Sequence, residues 1–223
     1  MPSLSRRLVA EFIGTFMLVF FGCGSVVMQS YPAAAWELIG VALVHAVALG
    51  VAITTFFRFS THFNPAVTIA FATMRRLPWV DAGAYLVVQL AAAAAAAFLL
   101  RTLVPPGAAS IVNLGTPQLH GSLSVAGGIG VEALLTFMLM GTIYGTAVDD
   151  GASRFAGLAI GLTLVFAIMI GGPLTGAALN PARAFGPALA SGTWHAHIAY
   201  WVGPVVGALA AALLWEKVLL DRK

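Results

Sequence analysis

The stretch STHFNPAVT (residues 60–68) interrupts a long apolar part of the chain. Its centre, Asn64-Pro65-Ala66, recurs as Asn180-Pro181-Ala182. Proline suits the first turn of a helix, because its missing N–H would be unpaired there anyway, and a preceding asparagine caps that helix. The sequence therefore predicts a short helix at each motif, over residues 65–74 and 181–190. Neither is long enough to cross a bilayer, which takes about 20 residues.

The composition is that of a membrane protein. Of the 223 residues, 60% are apolar and 9% are charged, whereas soluble domains carry about 25% charged residues. The apolar runs do not alternate with polar residues, which excludes a transmembrane β-barrel. Six stretches have about the length of a spanning helix. They are residues 8–28, 36–57, 81–104, 126–148, 155–172 and 197–216.

The two halves of the chain resemble each other in the same order. Three segments recur: EFIGTFML (11–18) as EALLTFML (132–139), GVALVHA (40–46) as GLTLVFA (161–167), and NPAV (64–67) as NPAR (180–183). Each half, about residues 1–105 and 125–223, holds an odd number of spans, so the halves have opposite orientations in the membrane. The sequence predicts a single all-α membrane domain over residues 1–223, with six transmembrane helices and two re-entrant half-helices in an inverted repeat.

This architecture limits the classes of function that the chain can have. Irregular backbone at membrane depth must be buried in protein or line a cavity, so the two motifs are expected to meet near the midplane. Each helix start carries about half a positive charge, which repels cations and accepts a neutral molecule with a lone pair. A passive channel is favoured, and a coupled secondary transporter is the alternative of another class. No spacing typical of an enzyme is present, and no metal, cofactor or nucleic acid is expected.

Basic residues predict the orientation. In a six-span arrangement most of them fall on one side: Arg6, Arg7, Arg58, Arg75, Arg76, Arg154, Lys217, Arg222 and Lys223. Arg101 and Arg183 fall on the opposite side. By the positive-inside rule both termini are cytoplasmic, in a multi-pass protein of the cell (inner) membrane.

These motifs resemble the major intrinsic protein family, the aquaporins and their relatives. The likeness covers the whole chain and includes AEFIGTFMLVFFGCGS (residues 10–25), HFNPAVT (62–68) and GGPLTGAALNPARAFGPAL (171–189). The resemblance implies six spans with two re-entrant half-helices and one pore per chain. It also implies a homotetramer in the lipid bilayer that passes water and small neutral solutes.

The resemblance further implies a selectivity filter near one mouth of the pore. Arg183 holds the position of the filter arginine, and Ile168 and Ala177 lie twelve and three residues before the second motif. The fourth position is His45, or Val44 if the second helix is aligned without the one-residue gap before the first motif. The match of GVALVHA (40–46) favours His45.

This filter is similar to that of tonoplast-type plant aquaporins, some of which pass ammonia, and the chain resembles a bacterial member of the aquaporin type. An apolar wall at Ile168 suits less polar neutral solutes. A glycerol facilitator is the alternative, since GGPLTG (171–176) resembles that branch, whereas Ala184, Ala188 and Tyr200-Trp201 depart from it. The prediction is a channel for water, with ammonia beside it, that excludes protons and ions.

Two acidic residues, Glu11 and Glu132, lie inside predicted spans at matching positions of the repeat. A proton relay is the default interpretation of such residues. Their symmetry favours a structural role, in which each carboxylate accepts backbone N–H groups from a re-entrant loop. His62 is expected to pack near Asn64, and His120 to lie in a solvated loop.

Overall fold

The computed structural model describes residues 2–31, 36–148 and 155–220. These residues form α1 (Leu4–Met28), α2 (Glu37–Phe56), α3 (Pro65–Thr73), α4 (Trp79–Leu103), α5 (Pro106–Ile111), α6 (Val125–Ile143), α7 (Ala156–Thr175), α8 (Pro181–Ser191) and α9 (Ala199–Leu214). A 3₁₀ turn covers Asn113–Gly115, and π-helical turns prolong α6 over Tyr144–Val148 and α9 over Trp215–Leu219. The described ranges contain no β-strand.

Six helices are long and apolar enough to cross a membrane: α1, α2, α4, α7, and α6 and α9 with their π-helical turns. The predicted six spans and two half-helices are thereby confirmed. The fifth span continues three residues past its predicted end at residue 172, through Pro173 to Thr175. Gly176, rather than the proline, ends this helix, because its φ of +79° makes a left-handed cap whose N–H donates to the Gly172 carbonyl.

The helix contacts follow the inverted repeat. α1 packs on α2 and α4, and α6 packs in the same way on α7 and α9. Half-helix α3 of the first half packs on α9 of the second, while α8 of the second half packs on α4 of the first. Exchange of the two halves leaves this pattern unchanged, as two inverted halves require.

The corresponding helices α2 and α7 pack on each other at the centre of this pattern. Small residues let their backbones touch: a Cβ added to Gly161 would lie 2.4 Å from the Ala46 carbonyl oxygen. Close approach over glycine is typical of helix pairs in membranes, where packing rather than water drives association. This crossing fixes the distance between the two halves and thus the width of the space between them.

Six crossings bring both ends of the described chain to the same side. We refer to the side that holds Leu4 and Leu219 as the terminal side, and to the side that holds residues 104–124 as the loop side. Among the described lysines and arginines, Arg101 lies on the loop side and Arg183 is buried at the start of α8. The others lie on the terminal side: Arg6, Arg7, Arg58, Arg75, Arg76 and Lys217. Arg154, Arg222 and Lys223, which also entered the predicted orientation, lie outside the described residues.

Candidate functional site: a central passage between two half-helices

The two asparagines of the repeated motif begin the half-helices. Asn64 has an extended backbone, and its Oδ1 accepts the Ala66 N–H at 2.9 Å. Asn180 is extended in the same way, and its Oδ1 accepts the N–H groups of Ala182 at 2.9 Å and Arg183 at 3.3 Å. Each side-chain oxygen thus satisfies backbone donors that a helix start leaves unpaired, with proline in the first turn of both helices.

The same asparagines join the two halves. Asn64 Nδ2 donates to the Leu179 carbonyl at 2.9 Å, and Asn180 Nδ2 donates to the Phe63 carbonyl at 2.8 Å. The structure thus commits one N–H of each amide group to the loop of the opposite half. A carboxamide nitrogen carries two hydrogens, so one donor remains on each side chain.

The loop before α3 is held by a buried carboxylate. Glu11 Oε1 accepts the His62 N–H at 2.8 Å and the Ser60 hydroxyl at 2.6 Å, and Oε2 accepts the Phe63 N–H at 2.7 Å. Gln89 Nε2 also donates to Oε2, at 2.8 Å. These bonds fix Phe63 in the left-handed region, with φ of +49°, a conformation that a residue with a side chain adopts only when its surroundings hold it.

Glu132 holds the loop before α8 in the same manner. Its Oε2 accepts the Leu179 N–H at 2.7 Å, and its Oε1 accepts the Ala178 N–H at 3.0 Å and the Thr175 hydroxyl at 2.6 Å. Leu179, the counterpart of Phe63, has a φ of +53°. Both carboxylates are fully buried, and neither lines the cavity between the half-helices.

One narrow cavity passes both asparagines, and its volume is about 30 Å³. It extends from Ile53 and Ile160, near the terminal side, to His45 and Arg183, near the loop side. Its polar side chains come from the two loops, their motifs and His45 of α2. The spanning helices otherwise contribute apolar side chains, which are Leu18, Leu49, Ile53, Leu139, Ile143, Ile160, Leu164 and Ile168.

Arg183 lies in the first turn of α8 and is 3% exposed. Its Nη1 donates to the Gly115 carbonyl at 2.8 Å, and its Nε donates to His45 Nε2 at 3.4 Å. Since His45 Nε2 accepts, the ring proton is assigned to Nδ1, which donates to the Val41 carbonyl at 2.8 Å. Both ring nitrogens of His45 therefore have protein partners.

The structure distinguishes His45 from Val44. His45 lines the cavity, whereas Val44 lies in an outer groove beside Met17 and Phe21. Room for the imidazole comes from Gly22, where an added Cβ would lie 2.6 Å from His45 Nε2. No sequence signal pointed to Gly22, because a glycine in a spanning helix has many packing explanations.

The other candidate residues divide between cavity and surface. Ile168 and Ala177 line the same cavity as His45 and Arg183. His62 lines it as well, with its ring stacked on Phe71 at 4.8 Å between centroids. His120 is exposed and contacts Ser122 through Nδ1 at 2.9 Å. No group of three His, Cys, Asp or Glu side chains within the described ranges could hold a metal ion.

Sequence reasoning missed the residue of the linker that accepts a hydrogen bond from Arg183. Gly115, whose carbonyl accepts from Arg183, lies in the linker between the halves. The linker has no counterpart in the repeat, so the repeat pattern carried no information about it.

Comparison with known proteins agrees with this geometry. A family model described as major intrinsic protein matches residues 1–215. Nodulin-26 from Glycine max is 40% identical over 221 residues, which cover 96% of this chain and 78% of the relative. Aquaporin AqpM from Methanothermobacter marburgensis is 36% identical over 241 residues, covering 97% of this chain and 98% of the relative. Aquaporin TIP4-1 from Arabidopsis thaliana is 38% identical over 229 residues, which cover 99% of this chain and 89% of the relative.

A solved structure has the same fold. The X-ray structure of the aquaglyceroporin from Plasmodium falciparum superimposes with a TM-score of 0.85, at 24% identity, over 97% of both chains. At this identity the likeness concerns the fold alone. With the family model spanning nearly the whole length and relatives well above 30% identity, the chain belongs to the major intrinsic protein family.

Proposed function

We propose that this protein is a passive channel that passes water, and ammonia beside it, while it excludes protons and other ions. The observation that carries the proposal is the meeting of two half-helix starts on one narrow cavity, with Arg183 near one end. The family of its relatives, which include proteins named aquaporins, is one of channels rather than enzymes.

Ion exclusion follows from the charges along the cavity. Two helix N-termini face each other across it, each with about half a positive charge, and the Arg183 guanidinium adds a full charge. A cation in the passage would lose its hydration shell and meet only positive potential in return. A water molecule loses less, because its oxygen accepts the remaining N–H groups of Asn64 and Asn180.

The two intramembrane acids argue against a proton-coupled transporter. Glu11 and Glu132 lie outside the cavity lining, and every carboxylate oxygen accepts at least one short hydrogen bond from the loops. A relay group must exchange its proton with the transported pathway. We assign both residues the task of holding the re-entrant loops.

Ammonia selectivity rests on the apolar wall. Ile168 lies in the cavity that holds the His45–Arg183 pair, and His45 has both ring nitrogens engaged by protein. The filter therefore offers a solute the arginine on one side and hydrocarbon on the other. Such a lining favours small neutral molecules with a lone pair and weak hydration over strongly hydrated ones.

We further propose that the chain forms a homotetramer in the inner cell membrane with the terminal side in the cytoplasm. Described cations concentrate on the terminal side, as the positive-inside rule requires of a cytoplasmic face. Tetramer formation is the expectation from the family resemblance. The outer groove of α2 that holds Leu43, Val47 and Val51 is an exposed apolar face suited to protein or lipid.

Stopped-flow light scattering on proteoliposomes tests the proposal. Water and ammonia permeabilities are expected to rise in proportion to the amount of protein. The fluxes are expected not to saturate as the solute gradient increases and not to require any ion. Proton flux is expected to stay at the level of empty vesicles. Arg183→Val is expected to raise proton and cation leak by about tenfold or more, because it removes the full charge from the constriction. Saturable or ion-dependent uptake would instead identify a coupled transporter, and glycerol flux comparable to water flux would identify a glycerol facilitator.

A further inference from the structure

The turn that contacts Arg183 has an unusual backbone. Asn113, Leu114 and Gly115 all have positive φ, at +46°, +54° and +74°. Left-handed conformations cost free energy in residues with a side chain and persist only where the surroundings enforce them. The carbonyl of Gly115, the last of these three residues, accepts the hydrogen bond from Arg183 Nη1.

Packing fixes the turn from the inside. Leu114 is 2% exposed and belongs to the core cluster that includes Cys23. Gly115 approaches α1 so closely that an added Cβ would lie 3.0 Å from the Cys23 Cα. The carbonyl of Gly115 therefore has little freedom toward α1.

Hydroxyl groups fix the turn from the outside. Thr116 Oγ1 donates to the Asn113 carbonyl at 2.6 Å and contacts Ser191 Oγ at 3.1 Å. A hydroxyl has one proton to donate, and that of Thr116 is already used. Ser191 must therefore donate to Thr116, while its own oxygen accepts the Thr193 N–H at 3.2 Å.

Ser191 connects this turn to the helix that carries the arginine. It is the last residue of α8, and Arg183 lies in the first turn of the same helix. The turn thus contacts α8 at both ends, through the Gly115 carbonyl at Arg183 and through Thr116 at Ser191. A rotation or shift of α8 would change both contacts together.

We propose that Thr116 and Ser191 are positioning residues for the Arg183 guanidinium. Their hydroxyl contact holds the strained turn against α8, and the turn holds Arg183 toward the wall of the passage through the Gly115 carbonyl. The residues touch no solute and act through Arg183. This assignment rests on the proposed role of Arg183 in the filter.

A purely structural role for the two hydroxyls would lower the amount of folded protein without changing which solutes pass. A positioning role changes selectivity in every folded molecule. The ratio of urea to water permeability separates the two, because it does not depend on how many channels each vesicle contains.

Thr116→Val removes the hydroxyl and keeps the shape of the side chain. In proteoliposomes we expect its urea-to-water permeability ratio to rise about fivefold over the unsubstituted protein, the scale of one lost hydrogen bond. Thr116→Ser restores the hydroxyl and is expected to restore the ratio. Thr102→Val is the matched control, since Thr102 makes a similar local bond to the Leu99 carbonyl at 2.7 Å on the same side of the molecule but does not touch the turn.

Ser191→Ala is the second variant, because Ser191 is exposed and its truncation leaves the core intact. It is expected to raise the ratio in the same direction, also if Thr116→Val does not fold. A ratio for both variants equal to that of Thr102→Val, or below it, overturns the positioning role. Arg183→Val is measured beside them: if it raises the ratio while the hydroxyl variants do not, only the positioning role fails, and if it too leaves the ratio unchanged, the filter role of Arg183 fails first.

Discussion

The two re-entrant segments, residues 60–73 and 175–191, share one scaffold. Each begins its half-helix with an asparagine whose oxygen caps the helix and whose nitrogen donates to the loop carbonyl of the other half. Each loop is held by a buried carboxylate through two backbone N–H groups and a hydroxyl. The geometry at the middle of the molecule is therefore almost the same when viewed from either side.

Their chemistry differs beyond the two asparagines. Three residues after Asn64 the chain has Val67, and three residues after Asn180 it has Arg183, both buried and both on the cavity. His62 of the first loop corresponds to Ala178 of the second. The symmetric parts hold the backbone in place. Of the two residues that differ here, Arg183 brings a full charge to the loop side of the passage, whereas Val67 brings none to the other side.

The linker between the halves explains why the charge sits on the loop side. A buried guanidinium needs acceptors, and Arg183 finds one in the Gly115 carbonyl. A chain of two inverted halves has a single linker, residues 104–124, and it lies on one side only. Since the linker lies on the loop side, an arginine at position 67 on the other side of the two asparagines would lack the Gly115 carbonyl that stabilises Arg183.

The largest expected effect concerns the scaffold. Glu132→Gln places an NH₂ group where a carboxylate oxygen now accepts, so at least one buried N–H of the second loop loses its partner. We expect a loss of about 2–5 kcal/mol in the free energy of unfolding, the cost of one or two unsatisfied buried donors. Thermal unfolding in detergent, followed by size-exclusion chromatography, detects this loss as a lower melting temperature than that of the unsubstituted protein.

The same substitution in the first half tests the symmetry of the scaffold. Glu11→Gln is expected to cost as much as Glu132→Gln, because both carboxylates hold equivalent loop residues. Glu37→Gln, at an exposed position near the start of α2, is the control and should leave stability unchanged. A Glu11→Gln protein as stable as this control would contradict the equivalence of the two loops.

A smaller effect is expected at the filter, where the halves differ. Ile168→His replaces the apolar wall beside Arg183 by a hydrogen-bonding ring, which favours water over ammonia. We expect the ammonia-to-water permeability ratio to fall by roughly threefold to tenfold, the scale of one hydrogen bond gained in the passage. Ile168→Leu keeps the wall apolar and should keep the ratio. An unchanged ratio in Ile168→His would mean that this residue does not select the solute.

Sequence reasoning reached the scaffold because each of its parts is repeated. The half-helices were predicted over residues 65–74 and 181–190 and found at Pro65–Thr73 and Pro181–Ser191. An acid at the same place in both halves indicates a shared contact, and such contacts are present at both loops. Repetition supplies a second, independent observation of each feature, which a single motif does not.

The parts without a repeat were beyond sequence reasoning. The turn at Asn113 and Leu114 has positive φ at residues other than glycine, so composition gave no sign of it. Which carbonyl an asparagine nitrogen meets depends on the approach of the two halves, and local sequence does not encode that distance. The choice between His45 and Val44 was different, because the repeated segment GVALVHA already favoured His45, which the structure places on the cavity.

The smallest expected effect concerns His62, which the second loop replaces by Ala178. His62 lies outside the six spanning helices, and its Nδ1 contacts Thr68 Oγ1 at 3.1 Å. Burial lowers the pKa of His62 below its ordinary value of 6.5, and the charge of Arg7 lowers it further, while Glu11 opposes the shift. The folded protein thus binds fewer protons at this ring than the unfolded chain, so this stability is present above pH 6.5 and is lost as the pH falls below it.

When the pH is lowered from 7.5 to 5.5, the melting temperature of His62→Gln is expected to fall by about 1–3 °C less than that of the unsubstituted protein. His120→Gln, at an exposed ring, is the control, and an equal acid response of all three proteins would show that His62 contributes nothing to it.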